Sequence, residues 1–283
     1  RLGAKRWRAE GGLPVLGLHG WLDNASTFDR LAPLLPGLDL VSLDLPGLDL
    51  VSLDLPGHGK SDHRPAGTRY HYTDYVDDVM TVANTLGWER FILLGHSLGA
   101  GIGCLAASAY SDRIEHLIII ESLGPVTGAP EEVPDRLRRS IEGMKPQGAK
   151  RSSSYHDLEV LIRARAAAGH LSRDSAEILV RRSVRSDGEA YTWRSDARLK
   201  RTFPQYFSNE VVMAFLGGIT SPVLLITADD GLLRKRPYFA SRCRAIRTLS
   251  TVTLPGHHHL HLDDPQPVAE AIRTYLSESR ADL

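Results

Sequence analysis

Cysteine is nearly absent. The 283-residue chain has two, Cys104 and Cys243, too few for the disulfide framework of a small secreted domain. Neither sign of charge is in excess: Lys+Arg and Asp+Glu both number 34. A chain with zero formal charge offers no basic surface for nucleic acid or for an anionic membrane. No apolar run approaches the roughly 20 residues that a bilayer-spanning helix needs, and no amino-terminal secretory leader is visible. These absences predict a cytoplasmic location and a small-molecule partner, with no nucleic acid and no membrane span. What is present is ordinary for a globular protein, with 42% hydrophobic and 24% charged residues, and the length suits one large α/β domain with an insertion.

The apolar pattern alternates between strands and helices. Strands are predicted over 1–10, 14–18, 91–94, 117–120, 223–227 and 251–254, and helices over 72–86, 98–109 and 267–278. Residues 23–35 read as a turn and then a short amphipathic helix with Phe28, Leu31, Leu34 and Leu35 on one face. Continuous runs such as Ile118-Ile119-Ile120 suit strands buried on both faces, so the expected architecture is a mostly parallel sheet covered by helices on both sides. Residues 123–215 break the rhythm and contain no buried-strand pattern, with the clearest helices over 158–168 and 175–184. The predicted organisation is a core over 1–122 and 211–283, with a helical cap inserted at 123–210 to shape the substrate pocket.

One decapeptide, Gly37 to Pro46, recurs letter for letter as Gly47 to Pro56. The copy is too short to be a solenoid unit. Only the second copy runs into the turn Pro56-Gly57-His58-Gly59, so only residues 47–55 are expected in the sheet.

The chemistry concentrates in three places. Gly95-His96-Ser97-Leu98-Gly99 follows the run Phe91-Ile92-Leu93-Leu94 and precedes a small-residue helix. This is a G-x-S-x-G nucleophile elbow in its strand–turn–helix context, where the glycines admit close backbone contacts. Upstream, the strand before His19-Gly20-Trp21 ends in a turn able to offer a backbone N–H. Downstream, His257-His258-His259-Leu260-His261 precedes Asp263-Asp264-Pro265, so the chain order is serine, acid, histidine. Gly59-Lys60-Ser61 hints at a phosphate loop, but Asp54 stands where that motif needs its first glycine. His258 and His261 lack a Cys or carboxylate set at ligand spacing, so no metal is expected. His19 and His96 are read as packed side chains.

Together these segments resemble the α/β-hydrolase superfamily over nearly the whole chain. The run His19 to Asp29, the turn Pro56-Gly57-His58-Gly59, the elbow and the His-x-x-His before Asp-Asp-Pro resemble its serine hydrolase-like branch. The resemblance makes Asp54 to Ser61 a structural turn. It implies Ser97 as nucleophile and an oxyanion hole from the backbone N–H groups of Trp21 and Leu98. It also implies His258 as base, seven residues before Pro265, with His257 and His259 as fallbacks. The acid departs from the usual pattern. Its customary place after strand 223–227 is Gly231, with Asp229 and Asp230 just short of it. Glu121, at the end of the preceding core strand, is the first candidate and Asp230 the second.

The function this implies is a cofactor-free serine hydrolase, acting on an apolar carboxylic ester through an acyl-enzyme. A haloalkane dehalogenase is disfavoured, because its nucleophile would be Asp where Ser97 stands. A perhydrolase or C–C hydrolase would use the same triad, and the sequence does not separate them. The rival from another class is a catalytically silent ligand-binding protein, favoured by the missing carboxylate at position 231.

Overall fold

In the computed structural model, residues 1–9, 11–35, 47–144 and 153–281 are described. The first decapeptide copy, residues 37–46, lies outside the described residues. Seven strands form one sheet: β1 (Ala4–Trp7), β2 (Leu13–Leu18), β3 (Leu48–Leu53), β4 (Phe91–His96), β5 (Ile114–Ile120), β8 (Val223–Ala228) and β9 (Leu249–Leu254). Their spatial order is β1-β3-β2-β4-β5-β8-β9. Only β1 is antiparallel to its neighbour. The second decapeptide copy supplies β3, between β1 and β2, in register with Leu13 to Leu18.

Strand side chains alternate between faces, so each strand feeds two cores. Leu16, Leu18, Leu93 and Ile119 pack under α1 (Tyr72–Thr85), α2 (Leu98–Ala109), α6 (Asn209–Gly217) and α7 (Phe239–Ala245). Val15, Ile92, Leu94, Ile118 and Ile226 pack under the long α9 (Pro265–Ala281) and the segment around Phe28 and Leu31. Continuous apolar strands are explained by this double burial. Helix α2 is rich in glycine because it lies close against its neighbours. A Cβ at Gly99 would collide with the Leu18 carbonyl, and one at Gly101 would lie 2.9 Å from the Tyr72 ring.

Residues 23–35 do not form the expected helix. They make two 3₁₀ turns, Ala25–Phe28 and Ala32–Leu34. Asn24 caps the first by accepting from Ser26 N at 2.9 Å, and Pro33 has no N–H to give to Asp29, so a continuing α-helix would lose that bond. Phe28, Leu31 and Leu35 are nonetheless buried.

Between β5 and β8 the chain carries α3 (Val133–Met144), α4 (Leu158–Gly169), α5 (Arg173–Ser183) and α6. The segment, read as helical with no buried strand, also carries a small hairpin of mostly unburied residues, β6 (Val184–Ser186) with β7 (Tyr191–Trp193). Its turn is held by Asp187 Oδ1, which accepts from Ala190 N at 2.8 Å, and by Gly188 at φ +100°. Helix α6 packs on α2 in the main core, whereas α4 and α5 build a core of their own from Leu161, Ile162, Leu179 and Val180. Leu262, within the short helix α8 (Leu260–Asp263), joins that core from the main body. Polar ties complete the join. Arg182 in α5 forks onto the buried Asp54 carboxylate (Nη2–Oδ2 2.7 Å), and Asn24 Nδ2 donates to Leu179 O at 2.8 Å. No described helix is long and apolar enough to cross a membrane.

Candidate active site

Strand β4 delivers Ser97 to the carboxyl edge of the sheet, and the chain turns there into α2. The turn forces Ser97 to φ +50°, a left-handed conformation costly for a residue with a Cβ. Close approach requires glycine on both sides: a Cβ at Gly95 would lie 2.6 Å from Ala100 N. Ser97 N donates to Ile120 O at 3.0 Å and Gly99 N to His19 O at 3.1 Å, so the elbow is bonded to the ends of both neighbouring strands.

His258 lies in the loop between β9 and α8. Its Nε2 stands 3.0 Å from Ser97 Oγ and its Nδ1 3.2 Å from Glu121 Oε2. Glu121 follows β5 at φ +55° and is 3% exposed. Its carboxylate accepts from Ala228 N at 2.9 Å and Leu232 N at 2.8 Å. Burial works to raise its pKa, but the His258 hydrogen bond and those backbone N–H groups outweigh it and hold the carboxyl below its ordinary value. Gly231 makes this arrangement possible. A Cβ there would lie 2.5 Å from Glu121 Cδ and closer still to both oxygens.

Asp230 is not beside His258. Its exposed carboxylate meets Lys235 Nζ at 2.7 Å and His257 Nδ1 at 3.2 Å. The preceding Asp229 accepts from both Gly256 N and Asp230 N, which turns Asp230 outward. Of the two carboxylates read from the sequence, only Glu121 meets His258. The two fallback histidines are engaged elsewhere, His257 with Asp230 and His259 with Asp23 (Nε2–Oδ2 3.2 Å). His261, buried, faces Thr27 Oγ1 at 2.8 Å and does not converge with His258 as a ligand pair. His19 accepts from Leu55 N at 3.0 Å through Nε2 and donates through Nδ1 to Gly20 O at 2.7 Å. Burial lowers its pKa, consistent with a neutral packing role. Asp54 accepts from Ala25 N and Lys60 N, and so braces the Pro56–Ser61 turn.

Trp21 and Leu98 flank Ser97. Leu98 is the first residue of α2, so its N–H has no partner within the helix. The helix dipole adds partial positive charge at that end. Trp21 follows the His19-Gly20 turn, and its indole Nε1 donates to Leu199 O at 3.1 Å.

A buried network next to the site was not foreseen. Asp23 pairs with Arg165 of α4, with His259 and, at 3.7 Å, with His96 Nδ1. Burial opposes its ionisation, but Arg165 and His259 hold its pKa well below the ordinary value. Asp23, His96 and His259 offer ligand atoms within 4.8 Å of one another, the spacing of a small cation site. The Arg165 guanidinium already neutralises the carboxylate, which leaves a poor donor set for a metal ion. Arg165 is 142 residues from Asp23, and no local pattern in the chain links the two.

Two cavities meet at Ser97 and Trp21. One, of about 650 Å³, is lined by His258, Leu232, Ala164, Ala168 and Trp193. The other, of about 520 Å³, is lined by Leu98, Ser122 and a set of tyrosines and basic residues. Both are within the size range of small-molecule sites.

Comparison with known proteins gives a consistent picture. A family model described as the alpha/beta hydrolase fold matches residues 14–147. The chain is 30% identical to a serine hydrolase-like protein of Danio rerio, over 98% of this chain and 85% of that protein. It is also 30% identical to serine hydrolase-like protein 2 of Homo sapiens, over 97% and 90% respectively. Among solved structures it is similar to a hypothetical protein from Pseudomonas aeruginosa PAO1, with a TM-score of 0.89 and 39% identity, over 98% of this chain and 95% of that one.

Proposed function

The chain belongs to the serine hydrolase-like proteins of the alpha/beta hydrolase fold, and on that premise we propose that it hydrolyses a carboxylic ester through an acyl-enzyme on Ser97. The observation that carries this reading is the unbroken hydrogen-bonded chain from Ser97 Oγ through His258 to Glu121.

In this mechanism Ser97 Oγ attacks the ester carbonyl carbon as its proton passes to His258 Nε2. Glu121 holds the imidazole by Nδ1–H and stabilises the imidazolium. The carbonyl oxygen, now anionic, accepts from the N–H groups of Trp21 and Leu98. Removing one such donor costs roughly 3–4 kcal/mol in a comparable site. The tetrahedral intermediate collapses as the bond to the leaving-group oxygen breaks, and that oxygen takes the proton from His258. Water then attacks the acyl-enzyme by the same route and frees the acid and Ser97. The segment 123–210 acts as a cap over this edge, since α4 supplies Arg165, Ala164 and Ala168 to the cavity wall.

The silent-binder reading rested on the absence of a carboxylate at position 231, and Glu121 brings one to that space. Activity-based labelling tests the proposal. A fluorophosphonate should modify Ser97 and abolish turnover of 4-nitrophenyl esters, and Ser97→Ala should take up no label. An unlabelled Ser97 in the folded protein would refute it.

A further inference from the structure

The two cavities are assigned different halves of the substrate by the chemistry of the proposed reaction, on which this inference rests. The departing oxygen must receive its proton from His258, so the leaving group lies in the cavity that His258 lines. The acyl chain then extends to the other side of Ser97, into the cavity lined by Leu98.

That acyl-side cavity carries Arg69, Arg136, Arg139, Arg198, Lys200 and Arg201, and among the described residues no Asp or Glu lines it. Two of the six are compensated: Arg136 by Glu132 at 3.0 Å and Arg198 by Asp196 at 2.7 Å. Among the described residues, the other four form no ion pair. Arg69 and Arg201 are half-buried, which weakens the solvent screening of their charge. A concave wall bearing one sign of charge focuses its field into the cleft and concentrates ions of the opposite sign. Guanidinium groups add a forked donor geometry matched to carboxylates. The whole chain has no net charge, so this concentration is a local property of the cavity. The apolar ester expected from the sequence has no group to pair with such a wall.

We propose that the acyl portion of the substrate ends in an anion, so that the preferred esters are half-esters of dicarboxylic acids, with the free carboxylate held by Arg69, Arg201 and their basic neighbours.

The test compares 4-nitrophenyl hydrogen glutarate with 4-nitrophenyl pentanoate, which share a leaving group and a five-carbon acyl chain and differ in the terminal carboxylate. The half-ester should have a kcat/KM roughly tenfold or more above the neutral ester at low salt, and the gap should narrow as ionic strength rises from about 0.05 to about 0.5 M. Arg69→Gln combined with Arg201→Gln should collapse the ratio of the two kcat/KM values, and Arg69→Lys should keep most of it. Equal or better turnover of the pentanoate, or a ratio unmoved by the paired substitution in folded protein, overturns the assignment while leaving Ser97 hydrolysis standing. If neither ester is turned over, calorimetric titration of the Ser97→Ala protein with monomethyl glutarate and methyl pentanoate decides. Selective binding of the glutarate sustains the basic arm, and equal or absent binding of both refutes it.

Discussion

The carboxylate of Glu121 occupies the space in which a side chain at Gly231 would begin. This carboxylate therefore reaches His258 from the end of β5, while the position after β8 carries no side chain. Glu121→Gln should lower kcat roughly 10³- to 10⁴-fold, as loss of the orienting carboxylate does in a serine-protease triad. Asp230→Asn should stay within about threefold of the parent, since its partners are exposed. Gly231→Asp alone should reduce both stability and activity, because two carboxylates would crowd one buried space. Combined with Glu121→Ala, the same change should restore part of the lost rate. Steady-state assays with 4-nitrophenyl esters read all four variants, and no recovery in the double variant would contradict this account of the space.

Strain at Ser97 gives a second expectation. A residue with a Cβ at φ +50° costs of order 1–3 kcal/mol, which glycine avoids. Ser97→Gly should therefore be inactive and yet more stable than Ser97→Ala, by about 1 kcal/mol after glycine's greater unfolded-state freedom is counted. Chemical denaturation of the two variants measures the difference, and a less stable glycine variant would count against stored strain.

Acidification should destabilise the protein in two stages. His58 and His96 are buried and neutral, and desolvation pushes both pKa values down to about 3 from the ordinary 6.5. Below pH 6.5 the unfolded chain binds protons there that the folded chain refuses, so stability falls as pH drops toward 3 and is unaffected above 6.5. Each such histidine contributes up to about 1.4 kcal/mol per pH unit. Glu121 and Asp23 have depressed values. Their contribution is complete above the ordinary carboxylate range and is lost as pH falls through the folded values. Melting temperature against pH should be level above about 7 and decline from about 6.5. In His58→Asn the decline between pH 6 and 4 should be shallower by close to one proton, and an unchanged slope would show that His58 titrates alike in both states.

Burial separates two arginines of α5. Arg182 forks onto Asp54, whose side chain is fully buried, whereas Arg173 pairs with Glu159 and Glu177 at the surface. Arg182→Met leaves a buried carboxylate without its cation and should cost roughly 3–5 kcal/mol. Arg173→Ala should cost under about 1 kcal/mol. Urea denaturation midpoints distinguish them, and equal losses would argue against a buried pair.

How much of this was legible in the chain depended on the range of the interactions. The elbow and the continuous strands are written in contiguous residues, and they appear where the pattern puts them. The strand Leu48–Leu53 was fixed by the turn that follows it. Local bonding explains two departures. Asn24 and Pro33 make 3₁₀ turns of an apolar stretch spaced like a helix, and Asp187-Gly188 closes a hairpin inside a segment read as helical, a turn signal that was available. Long-range pairings were not readable. Arg165 with Asp23, and the fully buried Arg242, which donates to Leu123 O and Pro125 O at 2.9 Å, bring together residues that no local periodicity connects. Glu121 was a candidate from its place at a strand end, but its preference over Asp230 depended on a neighbour's missing side chain.

The small separate core of α4 and α5 divides the labour of the molecule. It shares Leu262 with the main body and otherwise meets it through polar ties such as Arg182 with Asp54. Substitutions among Leu161, Ile162, Leu179 and Val180 therefore reshape one wall of the substrate space without repacking the sheet that aims Ser97 and Glu121. The upper layer can therefore be redesigned for a different substrate while the lower one keeps its aim.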